Sequence, residues 1–210
     1  MCKNNVRFNE QNTFESTINY YEKNSIFFTQ NTINANLTTL QDRFLTLLKP
    51  HSYILDFGCG TGRDTKYFFA KGFKVQAIDG SKKMCQIAAN NTNLPVENTC
   101  FLDFKAENNS FDGIWACASI LHLPENELKS VFKILENSLK PKGIFYSSFK
   151  YGEEERFSGE RFFNDMTENK FKKFINSFEN NFKILEMFKT SDVRPERQSE
   201  KWLNIFLQKK

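Results

Sequence analysis

Ile54-Leu55-Asp56-Phe57-Gly58-Cys59-Gly60-Thr61-Gly62-Arg63-Asp64 is the stretch that decides the fold. A short apolar run, Tyr53–Phe57, stops at three glycines set at alternate positions, and a helical pattern follows from Thr61 or Gly62 to Lys71. A strand that breaks into a glycine-rich turn and then a helix is the opening half of a βαβ unit. Glycines here let the backbone turn sharply and approach a ligand closely, where a Cβ would collide. Free N–H groups at the helix start point at the same place. Gly72 then caps the helix C-terminus.

Downstream, Phe73–Ile78 predicts a second strand that ends at Asp79-Gly80-Ser81. Ser81 suits the N-cap of a helix running to about Asn90. Val96–Leu102 and Phe111–Ala118 are further strands. Glu125–Leu139 carries Leu128, Val131, Phe132, Leu135 and Leu139 on one helical face, and Pro141-Lys142-Gly143 turns it into the strand Ile144–Phe149. Alternation of this kind builds a mostly parallel sheet with helices on both faces. The tail departs from it. Thr167–Phe178 reads as a helix, and Phe182–Phe188 and Lys201–Leu207 read as strands with no helix between them, which suits an antiparallel edge hairpin.

Upstream, residues 1–50 read as helical. An aromatic-rich segment spans Phe14 to Phe28, and Leu37, Leu40, Phe44, Leu47 and Leu48 recur at helical spacing before Pro50. The predicted class is therefore α/β: a Rossmann-like three-layer sandwich with a mostly parallel seven-stranded sheet, an antiparallel C-terminal edge hairpin and N-terminal helices. No repeat or Pro/Gly/Ser linker divides the chain, so 1–210 is expected to be one domain.

The 210 residues suffice for one α/β core and are short for two. Hydrophobic content of 40%, with 24 phenylalanines, supports a packed globule rather than disorder. The net charge of +4 is mild and its lysines and arginines alternate with acids, so the dense basic stripe of a dedicated nucleic-acid binder is missing. Five cysteines (Cys2, Cys59, Cys85, Cys100, Cys117) form no CxxC pair, and with only His51 and His122 beside them no metal site is expected. Most lie in apolar runs, which fits a reducing compartment. The N-terminus is polar (Lys3, Asn4, Asn5, Arg7), and no run of about 18 apolar residues suits a bilayer, so a cytoplasmic protein without membrane partners is expected.

Asp79 stands twenty-one residues after Gly58, at the end of the neighbouring strand. A carboxylate there can accept both hydroxyls of a ribose, so two adjacent strand ends offer a cleft for an adenosine-type ligand. The bland alternative is a tight turn with a capping acid. A dinucleotide fingerprint, G-x-G-x-x-G, would need glycine at position 63, where Arg63 stands; the spacing here is G-x-G-x-G.

The segment ILDFGCGTGRDTKYFFAKGFKVQAIDGSKKM resembles motifs I and II of the class I S-adenosylmethionine-dependent methyltransferases. Within them it is most similar to the bacterial branch of tellurite-resistance and small-molecule methyltransferases. SFDGIWACASILHLPENEL and LKPKGIFYSSFK resemble the family's fourth-strand and post-strand-five motifs, so the likeness runs in order from about Tyr53 to Lys150.

The resemblance implies S-adenosyl-L-methionine as cofactor and S-adenosyl-L-homocysteine as product. It divides the chain into a helical cap (1–50), a cofactor-binding core (51–150) and an acceptor-side loop with C-terminal strands (151–210). Gly58, Gly60 and Gly62, with Cys59 and Thr61 in the same loop, would line the methionine part. Asp56 would either organise the loop or reach the cofactor ammonium. Asp79 would hold the ribose with Gly80 and Ser81 beside it, Met84 would pack near the adenine, and Asp103-Phe104 would meet the adenine edge. Ala116 and Cys117 would touch the methionine part. Arg63 either serves the cofactor or pairs with Asp64.

Methyl transfer from a sulfonium needs in-line placement and water exclusion, and a base only where the acceptor must lose a proton. His122, after the fourth strand, is the candidate base; its alternative is packing against Leu121 and Leu123. Ser119 is a weaker polar contact. Tyr20 or Tyr21 would either cover the cofactor carboxylate or sit in the core. The expected acceptor loop is Tyr151–Asp165, with Arg156, Arg161, Phe157, Phe162, Phe163 and Glu153–Glu155, joined by Asp192-Val193-Arg194-Pro195; the alternative for both, and the commoner case for charged loops, is a solvated connection. The expected acceptor is a small molecule, with nucleic acid or protein as the alternative and a non-catalytic cofactor-binding protein as a third reading. Monomer and homodimer both remain open.

Overall fold

Strands buried on both faces need apolar residues on both, and the central strands here have them. In the computed structural model, which describes residues 11–210, the strand Tyr53–Phe57 (β1) sends Ile54 into one core and Leu55 and Phe57 into the other. Cys2 and the polar stretch at Lys3, Asn4, Asn5 and Arg7 lie outside the described residues.

Two helices come first. Gln11–Thr32 (α1) is kinked at Asn24, and Thr38–Thr46 (α2) follows. After β1 come Arg63–Ala70 (α3), Lys74–Asp79 (β2), Lys82–Thr92 (α4), Val96–Asn98 (β3), Phe111–Ala116 (β4), Glu125–Ser138 (α5) and Leu139–Lys150 (β5). The chain then forms Glu155–Ser158 (β6), Arg161–Asn164 (β7), Glu168–Ile175 (α6), Phe182–Ser191 (β8) and Lys201–Lys209 (β9). Seven strands join in the order β3-β2-β1-β4-β5-β9-β8. The first five are parallel, and β9 pairs antiparallel with both β5 and β8. The expected class, including the antiparallel edge pair, is the one observed.

Four local expectations need correction. The third strand stops at Asn98 rather than Leu102, because the chain turns at Cys100–Asp103 and sends Phe101 back to stack on Phe57 at 4.5 Å. The fourth stops at Ala116, two residues before Ala118 takes a left-handed φ of 51°. The turn Pro141-Lys142-Gly143 is an irregularity inside β5, with Leu139 paired to Phe111 and Ile144 to Gly113. Tyr151–Asp165 is no plain loop but carries the separate hairpin β6–β7, closed by a two-residue turn with Gly159 at φ 62°.

Phenylalanines fill both cores. Phe132, Phe145, Phe171, Phe174, Phe178 and Phe182 cluster under α5 and α6. Phe44, Phe68, Trp115, Tyr146 and Phe206 pack on the opposite face, beneath α2 and α3. Each such ring is worth about 1.5–3 kcal/mol of burial. No helix among the described residues is long and apolar enough to cross a membrane.

Candidate active site

Strand order reverses between β1 and β4, because the chain builds outward through β2 and β3 and then returns to place β4 and β5 on the other side. Side chains and loops at the carboxyl ends of the strands there border a crevice, the usual ligand position in open α/β sheets. A cavity of about 700 Å³ occupies it, within the range of small-molecule sites. Helix α1 and the β6–β7 hairpin wall it: Thr17 Oγ1 accepts from Phe162 N at 3.1 Å, and Glu22 Oε1 accepts from Ser81 Oγ and Lys83 N at the start of α4.

The glycine loop is forced by its neighbours. Gly58 has φ 86°, and a Cβ on it would stand 2.5 Å from Ser119 Cβ. At Gly60 a Cβ would meet only Phe28 at 3.8 Å and Met84 at 4.0 Å, so it would fill the cavity itself. The missing side chain is therefore the cradle.

Asp79 closes this end. Its Oδ2 accepts from Gly60 N and its Oδ1 from Ser81 N, both at 2.9 Å, which ties the glycine loop to the end of β2. Each oxygen keeps a lone pair for a further donor. Burial pushes the carboxyl up to about 6 against the pull of the two N–H groups, so it is ionised at neutral pH.

Behind the loop lies a buried polar network. Asp64 accepts from Arg63, from Gln41 Nε2 at 2.7 Å and from Trp115 Nε1 at 2.8 Å. Burial alone would raise Asp64, but the Arg63 guanidinium and these donors hold it below the usual carboxylate range. Asp56 accepts from the Thr65 hydroxyl and does not line the cavity. Burial, together with the charge of Asp64, raises it to about 8.

The structure sorts the other expected residues as follows. Gly58, Cys59, Gly60, Thr61, Arg63, Asp79, Gly80, Met84, Cys117, Ser119, His122 and Tyr21 all line the cavity. Gly62, Ser81 and Ala116 sit behind it: Gly62 and Ser81 are the N-caps of α3 and α4, and Ala116 is fully buried in β4. Asp103 is exposed on its turn, and Phe104 packs edge-on against Phe57 at 5.5 Å. Neither lines the cavity; Phe101 does. The thiol of Cys117, raised to about 12 by burial and Asp64, stays protonated.

His122 and Tyr21 form a pair. His122 Nδ1 is 2.6 Å from the Phe162 carbonyl, which can only accept, so Nδ1 carries the proton and Nε2 is bare. Tyr21 therefore donates its hydroxyl to Nε2, at 2.9 Å. Burial pushes His122 down to about 4, and Arg161 and Lys150 add to that, while the Phe162 bond opposes it. Burial also raises the Tyr21 phenol, against the pull of Arg161.

Several lining residues escaped the sequence reading. Phe28 lies seven residues from Tyr21 and meets it edge-on at 5.0 Å, a helical spacing that was visible. Phe101, Tyr146, Lys150, Arg197, Trp202 and Asn204 come from separate elements and share no local pattern. From the expected acceptor segments, Arg161, Phe163, Asp192, Val193 and Arg194 reach the cavity, whereas Phe157 is exposed and Arg156 faces a smaller cavity.

Residues 54–143 match the family model described as a methyltransferase domain. That span runs from β1 to the irregularity in β5 and holds the glycine loop, Asp79 and His122. Over 100 residues, 47% of this chain, it is 37% identical to an uncharacterised protein of Methanocaldococcus jannaschii, and the alignment covers 37% of that relative. The chain thus spans little more than a third of the curated relative it matches.

Among solved structures the chain is similar in fold to a 1,6-didemethyltoxoflavin N1-methyltransferase of Burkholderia thailandensis, crystallised with 1,6-didemethyltoxoflavin and S-adenosylhomocysteine. The TM-score is 0.76 at 17% identity, covering 99% of this chain and 93% of the other. It is also similar to a [4+2]-cyclase, with a TM-score of 0.72 at 16% identity over 91% and 94% of the two chains. These likenesses describe the fold.

Proposed function

We propose that this chain binds S-adenosyl-L-methionine in the cavity and transfers its methyl group to a small-molecule acceptor. One observation carries the reading: an ionised Asp79, fixed by Gly60 and Ser81 N–H groups, beside a loop whose missing side chain at Gly60 leaves the hollow. Asp79 takes the ribose hydroxyls, Met84 and Phe101 flank the base, and the Gly58–Thr61 loop with Cys117 borders the methionine part. Bound there, the cofactor supplies an electrophilic methyl on a sulfonium and leaves as S-adenosyl-L-homocysteine. Arg63 acts through Asp64, and Asp56 through Thr65, to hold the loop. The glycine-loop sequence also supports the tellurite-resistance and small-molecule branch.

His122, pushed down to about 4, is a weak proton acceptor at neutral pH. Its part is to hold the Tyr21 phenol at the cavity wall, where α1 is tied to the hairpin through Thr17 and Phe162. Walls of this kind suit a small acceptor better than a polymer. A second reading, binding without methyl transfer, is favoured by the likeness to a chain named a cyclase. Product formation across an acceptor panel separates the two.

Calorimetry tests the main reading. The protein is expected to take S-adenosyl-L-methionine and S-adenosyl-L-homocysteine and to ignore NAD. Asp79→Ala should weaken cofactor binding by about 1.5–3 kcal/mol, the scale for hydrogen bonds to a charged group. Unchanged affinity in a folded variant refutes the assignment.

A further inference from the structure

Five cationic side chains gather beyond the end of the cavity away from Asp79, four of them in its lining and Arg156 in that of an adjoining smaller cavity. Lys150 ends β5, Arg156 lies on β6, Arg161 opens β7, and Arg194 and Arg197 come from the connection between β8 and β9. Lys150, Arg161 and Arg197, with Phe163 between them, wall both the main cavity and a second of about 400 Å³.

Carboxylates answer four of the five. Arg156 pairs with Asp165, Arg194 with Asp192, and Lys150 and Arg197 share Glu200. Arg161 has no ion-pair partner among the described residues, and its Nε is buried without a hydrogen bond. Its guanidinium lies 4.6 Å from the Tyr20 ring centroid and 5.2 Å from that of Phe163. Stacking on rings leaves a guanidinium's N–H edge for hydrogen bonds; the Tyr21 hydroxyl oxygen stands against that edge, and the donors it does not use have the geometry that takes an oxyanion.

The cluster is held against its own repulsion. Burial and the charges of Arg197 and Arg194 bring Lys150 down to about 8, and burial with Arg194 lowers Arg197 as well. A surplus of positive charge on a cavity wall raises the local concentration of anions.

We propose that the acceptor is an anion, a small molecule bearing a carboxylate or phosphate oxyanion, which Arg161 engages with Lys150 and Arg197 beside it. The inference rests on the methyltransferase reading for the word acceptor, but not for the anion site. From β2, which ends in Asp79, to β5, which ends in Lys150, is three interstrand steps, roughly 14 Å across the sheet. The ribose end and the cationic end thus stand on opposite sides of the switch point. Tyr21 lines the same cavity, with Phe28 edge-on to its ring at 5.0 Å and His122 at its hydroxyl. Phe163 and Trp202, both in the lining, offer the anion's body an apolar wall.

An oxyanion could also come from the cofactor's own methionine carboxylate, and the test separates the two sources. Wild type, Arg161→Gln and Arg197→Gln are titrated with S-adenosyl-L-homocysteine and with 5′-methylthioadenosine, which lacks that carboxylate. Benzoate, phenyl phosphate and neutral benzamide are then titrated by ligand-observed NMR into each protein, with and without S-adenosyl-L-homocysteine. The expected result is a preference for benzoate or phenyl phosphate over benzamide that falls roughly tenfold or more in Arg161→Gln, the scale for one charge-assisted hydrogen bond, with S-adenosyl-L-homocysteine affinity unchanged.

The proposal is overturned if no anion is preferred, if Arg161→Gln keeps the preference, or if that variant weakens S-adenosyl-L-homocysteine while sparing 5′-methylthioadenosine. Should Arg161→Gln fail to fold, Arg197→Gln decides by a smaller loss in the same direction. Failure of wild type to bind either adenosyl ligand would sink the cofactor reading alone, because the anion preference is still read in the unloaded protein.

Discussion

The two ends of the cavity are built by opposite means. At the β1–β2 end, the cavity-lining groups are mainly backbone and one acid, gathered between Gly58 and Met84 and backed by a buried network of Asp64, Arg63, Gln41 and Trp115. At the β5–β9 end they are long cationic side chains from three separate segments, positioned by partly exposed ion pairs and ring stacking. Backbone geometry cannot shift without disturbing the sheet. Charged side chains can be exchanged with little effect on the fold. One end therefore suits an invariant cofactor, and the other an acceptor whose identity is set residue by residue.

The largest effect that can break this contrast is on stability. Asp64→Ala leaves the Arg63 guanidinium without its carboxylate and deprives Trp115 and Gln41 of their acceptor, inside the core. A loss of about 3–5 kcal/mol is expected, the cost of breaking a buried pair from one side. Arg156→Gln, at the other end, keeps a donor for Asp165 and should cost about 1 kcal/mol or less. Urea unfolding measures both. Equal losses would mean that the two ends are not built differently.

The same contrast explains what the sequence made legible. Tyr53–Phe57, the alternate glycines and Asp79 lie close along the chain, and local backbone chemistry dictates their arrangement, so strand, loop and acid were all readable. So was the tail: two strands without a helix between them can only pair antiparallel to close an edge. Asp103 was placed at the adenine by analogy of position, but the turn at Cys100–Asp103 brings Phe101 inward and leaves Asp103 outside. Only long-range packing against Phe57 decides that. The cationic end was half visible. Arg161 and Arg194 sit in segments that broke the strand–helix rhythm, whereas Lys150 and Arg197 meet them only once β5 and β9 have paired.

A second, intermediate effect concerns pH. Asp79 is raised from its ordinary value to about 6 by burial, and hydroxyl donors favour its ionised form. Cofactor affinity should then be level above about pH 6 and fall as pH drops through that value, by up to tenfold per unit, since protonation competes with binding. In the absence of ligand the sign is reversed: the fold favours the protonated acid, so this group's contribution to stability is full below its unfolded value and is lost as pH rises through about 6. Calorimetry between pH 5 and 8 checks the binding limb. An affinity flat across that window would remove Asp79 from the site's chemistry.

The smallest effect lies at the seam. Tyr21 reaches from α1 to His122, and the Phe162 carbonyl dictates that His122 carries its proton on Nδ1. Tyr21→Phe removes one hydroxyl donor from the bare Nε2 and should cost only about 0.5–1.5 kcal/mol of stability, a single net hydrogen bond. The tautomer should survive, because Nδ1 and Phe162 are untouched. Nitrogen NMR of the imidazole reads this directly: a protonated Nδ1 in both proteins at pH 7 is expected, with the Nε2 resonance moving in Tyr21→Phe. A proton found on Nε2 would mean that the phenol accepts rather than donates. The Tyr21 hydroxyl hydrogen would then be released from His122 for another acceptor, whereas a bare Nε2 keeps it spent on the imidazole.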